Sequence, residues 1–248
     1  MKKTLIFLLL LLPEITFFGQ QLPGSGDDSS AAVVDRYLRM MNVEGYHQDS
    51  MLVMETSVTI YGSNDTLWLR RWFAPANKHR VELWYQGKLT EGIISNGEDK
   101  SLLYNAKKKK WVHVSPKEVA ISLSGYDFRG PLYLWRWNGT RLTWNGVSEI
   151  KGTPVQVVKA SRPGLYDRYY MFESGSGLLT LIMETEDYDT TNVPRKESHI
   201  EWKSCHEYLP VGSHLVPSQE SFMRDKKLTI LNTTAHLEHI RPRIFTRE

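Results

Sequence analysis

The sequence of 248 residues is poor in cysteine and almost balanced in charge. Its single cysteine, Cys205, excludes an internal disulfide and a zinc site built from cysteine ligands. The 31 basic residues exceed the 28 acidic residues by too little for a protein whose main partner is nucleic acid. We therefore expect no nucleic-acid partner.

The apolar run near the N-terminus is short. Leu5–Leu12 follows Lys2 and Lys3 and falls well below the ~20 apolar residues that a membrane-spanning helix needs. A positively charged start followed by a short apolar core is typical of a secretory signal peptide. We predict a signal peptide over residues 1–20, a flexible leader over residues 21–29, and an exported protein that is soluble after cleavage.

The first element of the predicted domain is a helix. Val34, Tyr37 and Met41 recur at helical spacing, so they share one face, and Leu38 extends that face. After the helix, short runs rich in β-branched and aromatic residues alternate with turn residues. Their even spacing predicts a mainly β protein with an antiparallel sheet of roughly ten or eleven strands.

Two short helical segments interrupt the strands near the middle of the chain. Ser115-Pro116-Lys117-Glu118 has the residues of a helix start, since Ser can cap, Pro fits the first turn and Glu can reach back to the cap. Gly130-Pro131 begins a second segment, which is rich in large apolar side chains. We predict a helical insertion over residues 115–138.

The order of these elements resembles the LolA/LolB-like lipoprotein-carrier superfamily. The similarity spans nearly all of residues 30–248, which we take as a single domain. The segments that carry it are Arg70–Pro75, His79–Gln86, Ile94–Gly97, Leu102–Asn105, Ser115–Trp137, Tyr208–Pro217 and Arg243–Phe245.

The resemblance implies an antiparallel half-open β-barrel with an apolar concave face and a helical lid. Such a protein would hold acyl chains of lipids or lipoproteins in the periplasm of the bacterial cell envelope, with no enzymatic activity and no cofactor. The predicted ligand-binding residues of the concavity and lid are Val81, Leu83, Tyr85, Ile94, Leu103, Phe128, Leu132, Trp135 and Trp137.

Physical arguments support a lipid pocket but leave an alternative open. Seven of the eight tryptophans fall between Trp68 and Trp144, and burying a ~15-carbon chain is worth some 12 kcal/mol against water. The same aromatic side chains could instead fill a closed core. The protein would then be an envelope sensor or a structural interaction module without a lipid ligand.

Other candidate sites rest on weaker patterns. Cys205 and His206 could form a nucleophilic pair, but neighbours in a strand point to opposite faces. The sequence also contains an acidic cluster, formed by Glu184, Glu186, Asp187 and Asp189. An exported hydrolase or an oxygen-ligated metal site could use these carboxylates, which are equally typical of a polar loop. His236 and His239 are three apart, which separates side chains on a strand, so we predict no metal site.

The basic run Lys107–Lys110 lies between two predicted strands. It could dock on anionic headgroups of an envelope membrane or on a protein partner. Lysines at a hairpin tip are also common as a solvated edge that resists aggregation. Both interpretations stay open at this point.

Overall fold

The computed structural model describes residues 25–26, 28–41, 50–63, 65–75, 78–96, 101–115, 130–136, 138–162, 167–185, 200–224 and 227–246. The predicted signal peptide, Phe128 and Trp137 lie outside the described residues. Within the predicted leader, Ser25 and Gly26 form a short strand, and the first helix already begins at Asp28.

The described residues form one α-helix, fourteen strands and two 3-10 helices. In chain order they are β1 Ser25–Gly26, α1 Asp28–Met40, β2 Ser50–Ile60, β3 Thr66–Ala74, β4 Lys78–Tyr85, β5 Lys88–Asn96, β6 Ser101–Asn105, β7 Lys110–Val114, a 3-10 helix Pro131–Leu134, β8 Arg141–Ile150, β9 Thr153–Ser161, β10 Asp167–Glu173, β11 Leu179–Thr185, β12 Ile200–Val211, β13 His214–Arg224, β14 Lys227–His239 and a C-terminal 3-10 helix Pro242–Phe245.

All fourteen strands belong to one sheet, in the order β1-β8-β9-β10-β11-β12-β13-β14-β2-β3-β4-β5-β6-β7. Thirteen strands pair antiparallel, and the two-residue β1 adds to β8 in parallel. The pairing of β14 with β2 joins the two halves of the chain, from Thr229 opposite Ile60 to His239 opposite Ser50. The sheet is not closed, because β1 and β7 remain at its two ends.

The predicted count of ten or eleven strands is too low, whereas the predicted mainly β antiparallel class is confirmed. Each run bounded by turn residues forms its own strand, including the five-residue strands β6 and β7, which pair across the lysine turn. In the predicted insertion, residues 116–129 lie outside the described part, and Pro131–Leu134 is a 3-10 helix after Gly130 with φ 75°.

The central strand β2 is buried on both faces. Leu52 and Met54 pack on one side, and Met51 and Val53 pack on the other. A strand covered on both sides reads as a continuous apolar run because neither face meets water. We call the side of Leu52 and Met54 the inner face and the side of Met51 and Val53 the outer face.

Helix α1 lies against the inner face, as its apolar spacing predicts. Val34, Tyr37 and Met41 are buried there, and the Tyr37 ring lies 5.4 Å from that of Phe172. Arg36 Nη2 donates to the carbonyl of Gly175 at 2.6 Å, which ties the helix to the β10–β11 turn. Among the described residues, no helix is long and apolar enough to cross a membrane.

Candidate functional site

The inner face of β3, β4 and β5 carries a compact apolar cluster. Its buried members are Leu69, Val81, Leu83 and Ile93, and the partly buried Leu67, Leu103 and Val114 pack against them. Strand register explains the grouping, since Leu69 lies opposite Leu83 and Val81 lies opposite Ile93. Residues directly opposite each other share a face and touch through their side chains. We call this group the inner apolar cluster.

Three of the predicted ligand-binding residues meet in this cluster, namely Val81, Leu83 and Leu103. Tyr85 shares their face by register, because it lies opposite Leu67, and its hydroxyl donates to Asp65 Oδ2 at 2.8 Å. Alternation along β4 therefore predicted the face of all three of its residues correctly.

The structure places Ile94 away from this cluster. Ile94 lies opposite Arg80 on the outer face, and its neighbour Ile93 occupies the inner position opposite Val81. Of two adjacent isoleucines in a strand only one can face inward, because the side-chain period is two. The sequence does not decide which of the two isoleucines faces inward, since both are apolar. Both are buried in the structure, on opposite faces of the sheet.

Leu132 and Trp135 belong to a different group, the main core under α1. Trp135 is only 2% exposed, and its flank is held by Arg136, whose guanidinium lies 4.1 Å from the ring centroid. Arg136 Nη2 also contacts Asp35 Oδ2 of α1 at 2.6 Å. The 3-10 helix and the residues on either side of it are thus anchored beside α1, and we call residues 130–136 the anchor segment.

The main core occupies the inner face from β8 to β13 and continues across β14 and β2 to Phe73 of β3. Side chains of α1 and of the anchor segment meet residues of β9, β10 and β12 there, among them Val158, Phe172 and Cys205. The protein's own side chains therefore fill this part of the inner face. The inner apolar cluster is a separate group beyond β2 in the sheet order.

A band of polar side chains, which the sequence did not reveal, lies on the inner face between the two apolar groups. Arg71 Nη2 donates to Thr56 Oγ1 at 2.7 Å, and Thr56 shares a hydrogen bond of 2.8 Å with Thr233. Nearby, Lys203 Nζ lies 2.6 Å from Glu220 Oε1. Burial lowers the pKa of Lys203, but the carboxylate of Glu220 outweighs it and keeps that pKa above its ordinary value.

Cys205 and His206 do not form a nucleophilic pair. Cys205 Sγ donates to Glu220 Oε1 at 3.5 Å, whereas His206 Nε2 lies 2.7 Å from Ser221 Oγ on the next position along β13. Burial, with a further contribution from Glu220, raises the pKa of Cys205 to about 12. A thiol in this state is protonated at neutral pH and a poor nucleophile.

The remaining chemical candidates show no assembled site in the part of the chain that the structure covers. No group of three or more His, Cys, Asp or Glu side chains is arranged to hold a metal ion within the described ranges. Glu184 contacts Arg168 Nε at 2.5 Å, and the other members of the predicted acidic cluster lie outside the described residues.

Lys107–Lys110 is exposed at the turn between β6 and β7. Asn105 Oδ1 accepts a hydrogen bond of 2.9 Å from the amide of Lys108, which shapes the turn, and Lys109 has φ 49°. Because β7 is an end strand of the sheet, the basic turn lies at one edge of the sheet.

No family model matches the sequence, and no curated protein matches it. The fold is similar to a DUF1329 family protein from Desulfovibrio piger, at 12% identity over 89% of this chain and 98% of that one, with a TM-score of 0.56. It is also similar to a LolA superfamily protein from Nitrosomonas europaea, at 8% identity over 88% and 97% of the two chains, with a TM-score of 0.56. The resemblance predicted from the sequence is confirmed at the level of the fold.

Proposed function

We propose that this protein is an exported, non-catalytic protein of the bacterial cell envelope that binds acyl chains of lipids or lipoproteins. The observation that carries the proposal is the inner apolar cluster. Its rim residues Leu67, Leu103 and Val114 are only partly buried, so the cluster presents apolar surface that is reachable from outside. The LolA-like fold supports the same function.

The energetics suit reversible binding. Each CH₂ group that leaves water for this cluster contributes about 0.8 kcal/mol. The polar band that includes Arg71 and Thr56 borders the cluster on the side of β2, so an acyl chain extending across it would lose this gain. We infer that the chain lies along β3 to β7 and does not extend beneath α1.

The anchor segment limits how a lid could work. Leu132 and Trp135 are buried in the main core under α1, so this end of the predicted insertion is fixed to the body of the protein. Residues 130–136 would therefore not move as a lid.

One observation favours the alternative function, an interaction module without a lipid ligand. Helix α1 and Trp135 already fill half of the inner face with the protein's own side chains. In this case the exposed turn Lys107–Lys110 would contact an anionic membrane or a protein partner, and the inner apolar cluster would be structural.

Native mass spectrometry of protein purified from its own envelope discriminates between the two. The binding function predicts a co-purified lipid, released in organic solvent and identified by its mass. The variant Leu67→Gln with Leu103→Gln should lose that lipid while its far-UV circular dichroism is unchanged. Protein that carries no lipid, and takes none up after mixing with envelope lipids, would favour the interaction module.

A further inference from the structure

A cavity of about 640 Å³ lies on the outer face, where β3 and β4 meet the C-terminal segment that contains the last 3-10 helix. Its lining includes four arginines, Arg70, Arg80, Arg241 and Arg243, but one acidic residue, Glu82. Volumes between about 300 and 1,000 Å³ are usual for small-molecule sites.

Strand register brings the sheet part of this lining together. Trp72 lies opposite Arg80, and Arg70 lies opposite Glu82, so all four side chains share the outer face. The C-terminal segment, more than a hundred and fifty residues further along the chain, lies beside these two strands. Arg80 Nη1 donates to the carbonyl of Ile244 in this segment at 2.8 Å. Residues far apart in the sequence thereby form the two walls of the cavity.

Arg80 and Glu82 form its fixed base. Glu82 Oε1 accepts from Arg80 Nε at 2.8 Å and from Nη2 at 2.5 Å, and Glu82 Oε2 accepts from Trp84 Nε1 at 3.0 Å. The Arg80 guanidinium also lies 5.9 Å from the ring centroids of Trp72 and Trp111. Both carboxylate oxygens of Glu82 accept hydrogen bonds from within the protein, and Arg80 largely neutralises the negative charge of Glu82.

The other three arginines form an exposed rim. Arg70 Nε contacts Glu55 Oε1 at 3.0 Å, and both side chains are nearly half exposed. Arg241 is 66% exposed and contacts Glu238, and Arg243 is exposed as well. Ion pairs in such exposed positions contribute only about 0–1 kcal/mol, so a ligand of higher charge can compete for these guanidinium groups.

We propose that this outer cavity binds the phosphate group of an amphiphilic phosphate ester. Guanidinium groups bind phosphate oxygens through paired, charge-assisted hydrogen bonds, and three of them at one rim match the several acceptors of a tetrahedral dianion. Trp72 and Ile244 line the same cavity and offer an apolar surface for the part of the ligand next to the phosphate. The outer cavity is separate from the inner apolar cluster, so this proposal does not rest on the proposed function.

Octyl phosphate below its micelle concentration is a direct probe, with octyl glucoside as the ligand that has the same tail and no phosphate. Isothermal titration should show octyl phosphate binding at least tenfold more tightly than octyl glucoside, and more tightly than inorganic phosphate. Raising the salt concentration should weaken the binding because the contacts are ionic. Equal affinities for the two octyl compounds would overturn the proposal.

The variant Arg70→Gln, Arg241→Gln and Arg243→Gln should lose at least tenfold in affinity for octyl phosphate. The charge-matched control Arg39→Gln, Lys88→Gln and Arg141→Gln alters three exposed residues elsewhere and should bind as the natural sequence does. The single variant Arg241→Gln, which alters a strongly exposed side chain, keeps the test valid if the triple variant unfolds. Unchanged binding in the folded rim variants would overturn the proposal.

The phosphate group could belong to a membrane lipid or to a free molecule. Vesicle binding distinguishes these two sources. Binding to phosphatidylcholine vesicles that contain phosphatidic acid, lost in the triple rim variant, would identify a lipid surface as the source. Binding of octyl phosphate without binding to those vesicles would identify a free phosphate ester. If neither probe binds, the proposal is wrong.

Discussion

At the residue scale, Gly92 lies directly against the ring of Trp111 on the outer face. A Cβ atom at this position would lie 2.4 Å from Cη2 of Trp111 and 3.0 Å from its Cζ3. The indole ring thus packs directly on the backbone of β5, near the guanidinium of Arg80. A small residue at position 92 is therefore required by packing and not by backbone conformation.

We predict that Gly92→Ala lowers the free energy of unfolding by about 1–3 kcal/mol, because the added methyl group displaces a large ring in a packed position. Gly175→Ala is the matched control, since a Cβ atom at position 175 would have no other atom within 4 Å. Urea unfolding of both variants checks this. Equal stability of the two would contradict the packing described for Trp111.

Cys205 gives a second prediction at this scale. With its pKa raised to about 12 by burial and by Glu220, the Cys205 thiol stays protonated at pH 8. The native protein should react with a thiol reagent such as dithionitrobenzoate far more slowly than the protein unfolded in guanidinium chloride. Reaction of the native thiol at the rate of the unfolded chain would contradict its burial.

Residue faces could be predicted where polar and apolar side chains alternate. Along β4, Val81 and Leu83 alternate with Arg80 and Glu82, and the structure confirms their common face. The prediction failed at Ile94 because its neighbour Ile93 is equally apolar. The choice between them is made by the pairing of β5 with β4, a contact between strands that a pattern within one strand does not contain.

At the element scale, helix α1 and the segment Leu132–Trp137 differ in how well the sequence predicted their structure. Helix α1 was predictable because its apolar spacing is regular and its buried residues are the predicted ones. The segment Leu132–Trp137 lacks that regularity, and its described part forms a 3-10 helix followed by the buried Trp135. The resemblance to LolA-like proteins implied a lid here, whereas Leu132 and Trp135 are buried in the main core.

Replacing Trp135 tests this assignment. We expect Trp135→Ala to lower the free energy of unfolding by about 3–5 kcal/mol, because a fully buried ring leaves a cavity in the main core. Trp68→Ala removes the same side chain from an outer-face position that is 50% exposed and should cost much less. Chemical denaturation measures both. If both variants lose the same stability, Trp135 does not anchor the segment.

The lysine turn between β6 and β7 allows a prediction for membrane contact. If this turn docks on headgroups, replacing Lys107–Lys110 with serine should reduce binding to anionic vesicles, because each lysine near the surface contributes about 1 kcal/mol. The four side chains are exposed, so the fold should be unaffected. Vesicle co-sedimentation checks the prediction, and unchanged binding would leave the turn as a solvated edge.

At the scale of the whole molecule, the class of the fold was predictable and its internal organisation was not. Turn residues and short runs predicted an antiparallel sheet, and the order of elements predicted a LolA-like fold. The polar band was missed because its members meet only in the folded sheet. Thr56 and Thr233 are 177 residues apart in the sequence and share a hydrogen bond across β2 and β14.

The inner face therefore has two apolar regions with different roles. Helix α1 and the anchor segment pack on the main core, which reaches from β8 to Phe73 of β3, and the inner apolar cluster remains as a separate group on β3 to β7. The proposed function therefore depends on half of the sheet. Variants in the rim of that cluster should affect ligand uptake without disturbing the main core.

Titration of delipidated protein with a fluorescent fatty acid tests the central claim most directly. We predict saturable binding by the natural sequence and at least tenfold weaker binding by Leu103→Gln, whose side chain lies at the rim of the inner apolar cluster. Val147→Gln replaces an apolar residue that is 66% exposed on β8 and should bind normally. Absence of saturable binding by the natural sequence, or equal affinity of both folded variants, would contradict acyl-chain binding at the inner apolar cluster.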